Sequence, residues 1–260
     1  MDDTSVAHIA AAVAAIPGVV AVSLGGSLAT GMADEQSDVD LHVYWQEPLA
    51  PAAERHAILG QVADAGTSPR EVTEWGLEDH FYVDGRLVEL VYVHLGDMRA
   101  LVERAYSEGL GDEGFATAQL FYVAEGVPLH DPEGALAALR GRLAAYPEAT
   151  RSRLLTTMPE LLRAYLRQLR KAQARRDLLF VQHRRYSVQM VYFNMLFALN
   201  RRYHPGEKRL LLHAERCPTK PALHARRWED TALRRADDPA VTDLLEALAD
   251  ELCEIASRER

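Results

Sequence analysis

Cysteine is scarce in this chain. Its 260 residues hold two, Cys217 and Cys253, with neither the spacing of a metal cluster nor the even count and rhythm of a disulfide framework. Long apolar runs are missing too. No stretch reaches the roughly 18 apolar residues of a membrane-spanning helix, so no membrane partner is expected. The opening residues Met1-Asp2-Asp3-Thr4 are acidic and lack the basic region that begins a secretion signal. Taken together, these absences lead to the expectation of a cytoplasmic protein. Aromatic residues make up 7% of the chain and do not interleave with the basic ones, as they do in grooves that bind single strands. With a net charge of −9, nucleic acid is not the expected partner.

Positive charge is the last shortage, and it is local. Residues 1–150 hold 24 Asp and Glu against 7 Lys and Arg, whereas residues 151–260 hold 14 against 22. The pattern of apolar residues changes at the same place. In the first half, short runs alternate with Gly and Pro turns. Strands are expected near 19–24, 38–45, 70–75, 79–84 and 86–94, after an Ala-rich first helix over 6–16. The second half reads as helix throughout, over 152–174, 177–203, 219–236 and 239–258, with leucines at helical spacing and arginines opposite them. The expected fold is an α/β (α+β) domain with a mixed sheet over 1–130, followed by an all-α helical bundle over 131–260. The basic helical face, with Arg163, Arg167, Arg170, Lys171, Arg175, Arg176, Arg184 and Arg185, reads first as a solvated face that complements the acidic half. Its sharper reading is neutralisation of a bound triphosphate.

One segment carries more chemistry than the rest. Residues 25–41 read GGSLATGMADEQSDVDL. An apolar run, Val19 to Leu24, leads straight into Gly25-Gly26-Ser27. Glycine lets a backbone approach a phosphate closely, and Ser27 offers donors to it. Ten residues separate Ser27 from Asp38, and Asp40 follows Asp38 at a spacing of two. On a strand, that spacing points both carboxylates to one face. Like charges so placed repel unless a cation lies between them. Mg²⁺, which binds oxygen ligands and is often shared between carboxylates and substrate phosphates, is the natural guest. A solvated acidic loop accounts for Asp34 and Glu35, but not for Asp40 within the run Val39, Leu41, Val43.

This pattern resembles the nucleotidyltransferase superfamily of the DNA polymerase β type, whose signature is Gly-Ser followed by Asp-x-Asp. Here those positions are Gly26, Ser27, Asp38 and Asp40. The resemblance implies a third carboxylate on a later strand. Glu89 is the candidate, in a segment entered through Asp84-Gly85, where the family more often has Asp. Asp38, Asp40 and Glu89 are thus the expected metal ligands and catalytic carboxylates. Gly25, Gly26, Ser27, Ser37 and Lys208 are the expected nucleotide contacts. Lys208 enters through the turn Asn200 to Arg209, which is similar to turns in the helical domains of bacterial small-molecule nucleotidyltransferases. A helix-connecting turn with surface charge explains that turn equally well. The whole plan resembles the aminoglycoside and lincosamide nucleotidyltransferases.

The resemblance implies transfer of a nucleoside monophosphate, AMP from ATP foremost, to a hydroxyl of a small molecule. The acidic half would attract a cationic acceptor, so an antibiotic is in view. Three alternatives stay open: an enzyme acting on a protein or RNA partner, a non-catalytic nucleotide-binding relative, and a helical scaffold with a decayed enzyme domain. The general base is open between Asp40 and Glu89. Glu74, Glu78 and Asp79 read as solvated loop charge, with Asp79 placed to point inward. His42 reads as a core histidine before it reads as support for the site.

Overall fold

A computed structural model describes residues 3–34, 37–46, 48–74, 76–111 and 114–259. The chain folds into two compact units. One comprises Met1–Glu103 and Gln119–Ala145, the other Arg104–Ala118 and Tyr146–Arg260. A division at 130/131 differs from this one, because α6, introduced below, packs on β1 of the first unit.

The first unit is built on α1 (Asp3–Ala14), β1 (Val19–Leu24), α2 (Gly26–Ala29), β2 (Val39–Trp45), α3 (Ala52–Leu59), β3 (Arg70–Val72), β4 (Glu78–Val83) and β5 (Arg86–His94). There follow α4 (Leu95–Ser107), which passes into the second unit at Arg104, then α5 (Ala118–Glu125), β6 (Val127–His130) and α6 (Ala135–Leu143). The six strands form one mixed sheet in the order β3-β4-β5-β2-β1-β6. Among the described residues, β2 and β5 pair in parallel and the other neighbours antiparallel. Period-2 alternation sorts the side chains. Val39, Leu41 and Val43 of β2, Val88, Leu90 and Tyr92 of β5, and Phe81 and Val83 of β4 join one core with Ile9, Ala10 and Val13 of α1 and Leu59 of α3. Asp40, His42, Glu89, Glu78 and His80 fall on the opposite face by the same alternation.

The β4–β5 register follows from local chemistry. Asp84 and Gly85 both have positive φ, 53° and 71°, the conformation a two-residue hairpin turn requires and an Asp-Gly pair tolerates. Both turn amides donate to the Asp64 carboxylate, at 2.7 and 2.8 Å. The expected strand over 70–75 is shorter, ending at Val72, and Trp75 lies outside the described residues. β6 is a strand that periodicity does not announce. It is four residues long and holds Pro128, which an edge strand accommodates because one of its sides needs no amide donor.

The second unit contains α7 (Glu148–Ala174), α8 (Leu178–Leu199), α9 (Leu210–Glu215), α10 (His224–Leu233) and α11 (Ala240–Arg258). α7 buries Leu154, Leu155, Met158, Leu162, Leu166 and Leu169, the stripe the sequence spacing anticipates. α8 is capped by Asp177, which accepts from the Phe180 amide, and is buried on all sides from Val191 to Leu199. Part of the basic face is spent inside this unit. Arg170 bonds to Asp243 and Glu246 of α11, the Arg184 guanidinium lies over the rings of Tyr165 and Phe180, and Arg185 donates to the Thr231 carbonyl. Among the described residues, no helix is long and apolar enough to cross a membrane.

Candidate functional site

Gly25 and Gly26 are required by what crosses above them. The Gly25 amide donates to the Asp40 carbonyl at 2.8 Å, carrying the β1–β2 pairing one step past the strand end. A Cβ on Gly25 would lie 2.5 Å from the His42 ring. Gly26 has φ +57°, and a Cβ there would overlap the Asp40 carboxylate oxygen Oδ2. The glycines thus let the backbone of the turn close directly onto Asp40. Ser27 is the second residue of the one-turn helix α2, which Thr30 closes by donating its hydroxyl to the Gly26 carbonyl at 3.1 Å.

Three neighbouring strands then align a polar row. Asp40 is the register partner of Glu89 across the parallel β2–β5 pair, and Glu89 is the partner of His80 across β5–β4. His80 Nε2 lies 2.8 Å from Glu78 Oε2 and 3.9 Å from Glu89 Oε1. All four side chains are partly buried. Asp38 stands one residue ahead of the β2 ladder, so strand pairing sets the direction of Asp40 but not that of Asp38. Among the described residues, no three His, Cys, Asp or Glu side chains are gathered as a preformed metal cluster.

Ser37 is engaged locally. Its hydroxyl donates to the Asp34 carboxylate at 3.0 Å and accepts from the Asp34 amide at 2.9 Å; Glu35 and Gln36 lie outside the described residues. Lys208 belongs to the second unit, exposed two residues ahead of α9. The turn before it is tightly held: the His204 amide donates to Thr117 Oγ1, and the Gly206 amide donates to His204 Nδ1.

His42 is a buried histidine, on the sheet face opposite the main core. It is 6% exposed, and its ring stacks on Tyr122 of α5 with centroids 4.8 Å apart. Burial lowers its pKa to about 4, so the imidazole is neutral at pH 7. Its Nδ1 has no hydrogen-bond partner among the described residues. Next along the same face, burial pushes the Tyr44 phenol up to about 12.

The reading of Glu78 and Asp79 as solvated loop charge is corrected. Both lie in β4, and they point to opposite faces. Glu78 joins the polar row. Asp79 is fully buried on the core face, where Arg55 donates to it from Nε at 2.8 Å, His56 Nε2 lies at 2.8 Å and the Tyr92 hydroxyl donates at 2.8 Å. Burial opposes its ionisation, but these hydrogen bonds and the Arg55 charge outweigh it and hold the carboxyl below the usual range. Arg55 also donates to Glu71 at 2.6 Å. The alternation in Glu78-Asp79-His80-Phe81 was the available signal for this arrangement. Its all-polar start hid it.

Residues 7–90 match the family described as "Nucleotidyltransferase domain", and residues 114–210 match one described as "Domain of unknown function (DUF4037)". The first stretch contains Gly25, Gly26, Ser27, Asp38, Asp40 and Glu89; the second contains Lys208. A solved nucleotidyltransferase-like protein from Exiguobacterium sibiricum 255-15 is similar over 98% of this chain and 74% of its own, at 15% identity and a TM-score of 0.46. No curated protein is similar to the chain. Residues 7–90 are thus similar to nucleotidyltransferase domains.

Proposed function

We propose that the chain transfers a nucleoside monophosphate, with AMP from ATP as the first candidate, to a hydroxyl of a small molecule and releases pyrophosphate. The observation that carries this reading is the pairing of Asp40 with Glu89 on adjacent strands, beside a Gly25-Gly26 backbone that closes onto Asp40. The donor chemistry fits Mg²⁺. Carboxylate oxygens are its preferred ligands, and it is commonly held by one or two of them together with substrate phosphates, so a preformed cluster of three is not required. Asp40 and Glu89, with Asp38, would hold the ion. When bound, Mg²⁺ would spread the charge that builds on the departing pyrophosphate. The backbone amides of the Gly25–Ser27 turn and the Ser27 hydroxyl would orient the triphosphate. The acceptor oxygen bonds to the α-phosphorus as the bond from that phosphorus to pyrophosphate breaks, and the hydroxyl proton passes to Asp40 or Glu89. The excess of acidic residues in 1–150 favours a cationic acceptor.

Two measurements test the proposal. Mg²⁺ with the correct nucleotide should stabilise the chain by about 2.7 kcal/mol at a hundredfold excess over Kd, and much less with a chelator present. Pyrophosphate release should then be screened with ATP, GTP, CTP and UTP against hydroxylated cationic acceptors, antibiotics included. Equal stabilisation with and without metal, together with no turnover of any nucleotide, would overturn the reading.

A further inference from the structure

Glu89 is longer than an aspartate, so one more rotatable bond separates its carboxylate from the strand. A ligand with that freedom must be confined from the side. On one side its register partner is Asp40; on the other it is His80. The His80 ring is itself held, with Nε2 2.8 Å from Glu78 Oε2. An ionised carboxylate only accepts, so the imidazole donates from Nε2. The same nitrogen lies 3.9 Å from Glu89 Oε1. That is beyond hydrogen-bond reach but close enough to limit the carboxylate's swing. The side chains of His80 and Glu78 are only 15% and 12% exposed, so neither is a loose surface group. The turn Asp84-Gly85, braced by Asp64, sets the register that brings His80 to Glu89.

We propose that His80, clamped by Glu78, is a positioning residue that confines the long Glu89 side chain, so that its carboxylate stays beside Asp40. The proposal rests on the nucleotidyltransferase reading above. It predicts that His80 acts through Glu89 alone. Outer groups that orient metal ligands typically matter by 10- to 100-fold in affinity.

The test is calorimetric titration of the full chain with Mn²⁺ and each of the four nucleoside triphosphates, without acceptor, with the melting temperature as a folding control. For the nucleotide that binds best, His80→Ala should weaken binding about tenfold or more, and should add nothing in a Glu89→Gln background. Unchanged affinity in His80→Ala overturns the proposal, as does an equal further loss in the Glu89→Gln background. If His80→Ala does not fold, Glu78→Gln tests the same link with the ring in place. Its loss of affinity should appear in the wild-type background and vanish with Glu89→Gln; full additivity overturns the proposal. If the wild-type chain binds no Mn²⁺-nucleotide at all, the nucleotide site itself fails, and this inference fails with it. Failure of the inference alone leaves wild-type binding intact.

Discussion

The two faces of one sheet treat their acids in opposite ways. On the core face, Asp79 is sealed from water, and Arg55, His56 and Tyr92 saturate it. On the other face, Asp40 and Glu89 stand side by side, partly open to solvent. A buried carboxylate must find its compensation within the chain, because an unpaired buried charge costs several kcal/mol. In the proposed reaction, the two half-open acids on adjacent strands would instead share a cation that arrives from outside. Asp79 and Glu78, adjacent in sequence, fall on opposite sides of this divide, so a strand's alternation alone can separate a structural acid from a candidate functional one.

Breaking the core-face acid should have the largest effect, and on stability. Asp79→Asn takes from the buried Arg55 one of its two ion-pair partners, leaving Glu71, and should cost about 3 kcal/mol in denaturant unfolding, with turnover per folded molecule largely retained. Because its native pKa is lowered, the stabilisation from Asp79 is present above the ordinary aspartate range, near pH 4, and fades as pH falls through the native value. Wild-type stability measured against pH should show this loss, and Asp79→Asn should show less of it.

Breaking the other face should reverse the pattern. Asp40→Asn and Glu89→Gln should each lower kcat by about 10²–10³, the scale of a lost electrostatic contact to the reacting groups, while the melting temperature holds or rises as like-charge repulsion is relieved. Glu89→Asp should retain part of the activity. A wild-type rate in Glu89→Gln would remove that residue from the site.

Gly26→Ala probes the seam between turn and strand. Its positive φ alone should cost about 1–2 kcal/mol, and the new methyl group must displace the Asp40 carboxylate, so kcat should fall with stability. Unchanged kcat would show that the position of Asp40 over the turn does not matter to the reaction. The smallest effect is expected at Glu74, which is exposed and outside both faces. Glu74→Gln should leave turnover unchanged and stability within about 0.5 kcal/mol.

Much of the candidate site's local backbone was legible because it is written in consecutive residues. Gly25-Gly26-Ser27 follows an apolar run, and Asp-x-Asp lies within one. The hairpin at Asp84-Gly85 is equally local, and once it is granted the pairing of His80 with Glu89 follows by counting outward. His42 could be read as buried from its place among apolar neighbours, though its stacking on Tyr122, eighty positions away, could not. Asp79 was hard to read because the strand that holds it opens with three polar residues, and a polar run looks like a loop until its partners are known. β6 was hidden by its length and its proline.

By itself, the sequence determined the local elements. It settled the strand and turn around Gly25-Gly26-Ser27, the alternation of β2 and β5, the leucine stripe of α7, and the change from mixed structure to helix. These depend on spacings of two to four residues and on the conformations that Gly, Pro and Asp-Gly allow. Only the tertiary structure decided that β2 and β5 run parallel, with Asp40 opposite Glu89. It also decided that Arg55 and His56 reach across to Asp79, and that Lys208 belongs to a different unit from the Gly-Ser turn. Parallel strands are joined by long connections that leave no register mark in the sequence between them. A buried ion pair depends on which surfaces meet, which no spacing along one strand records.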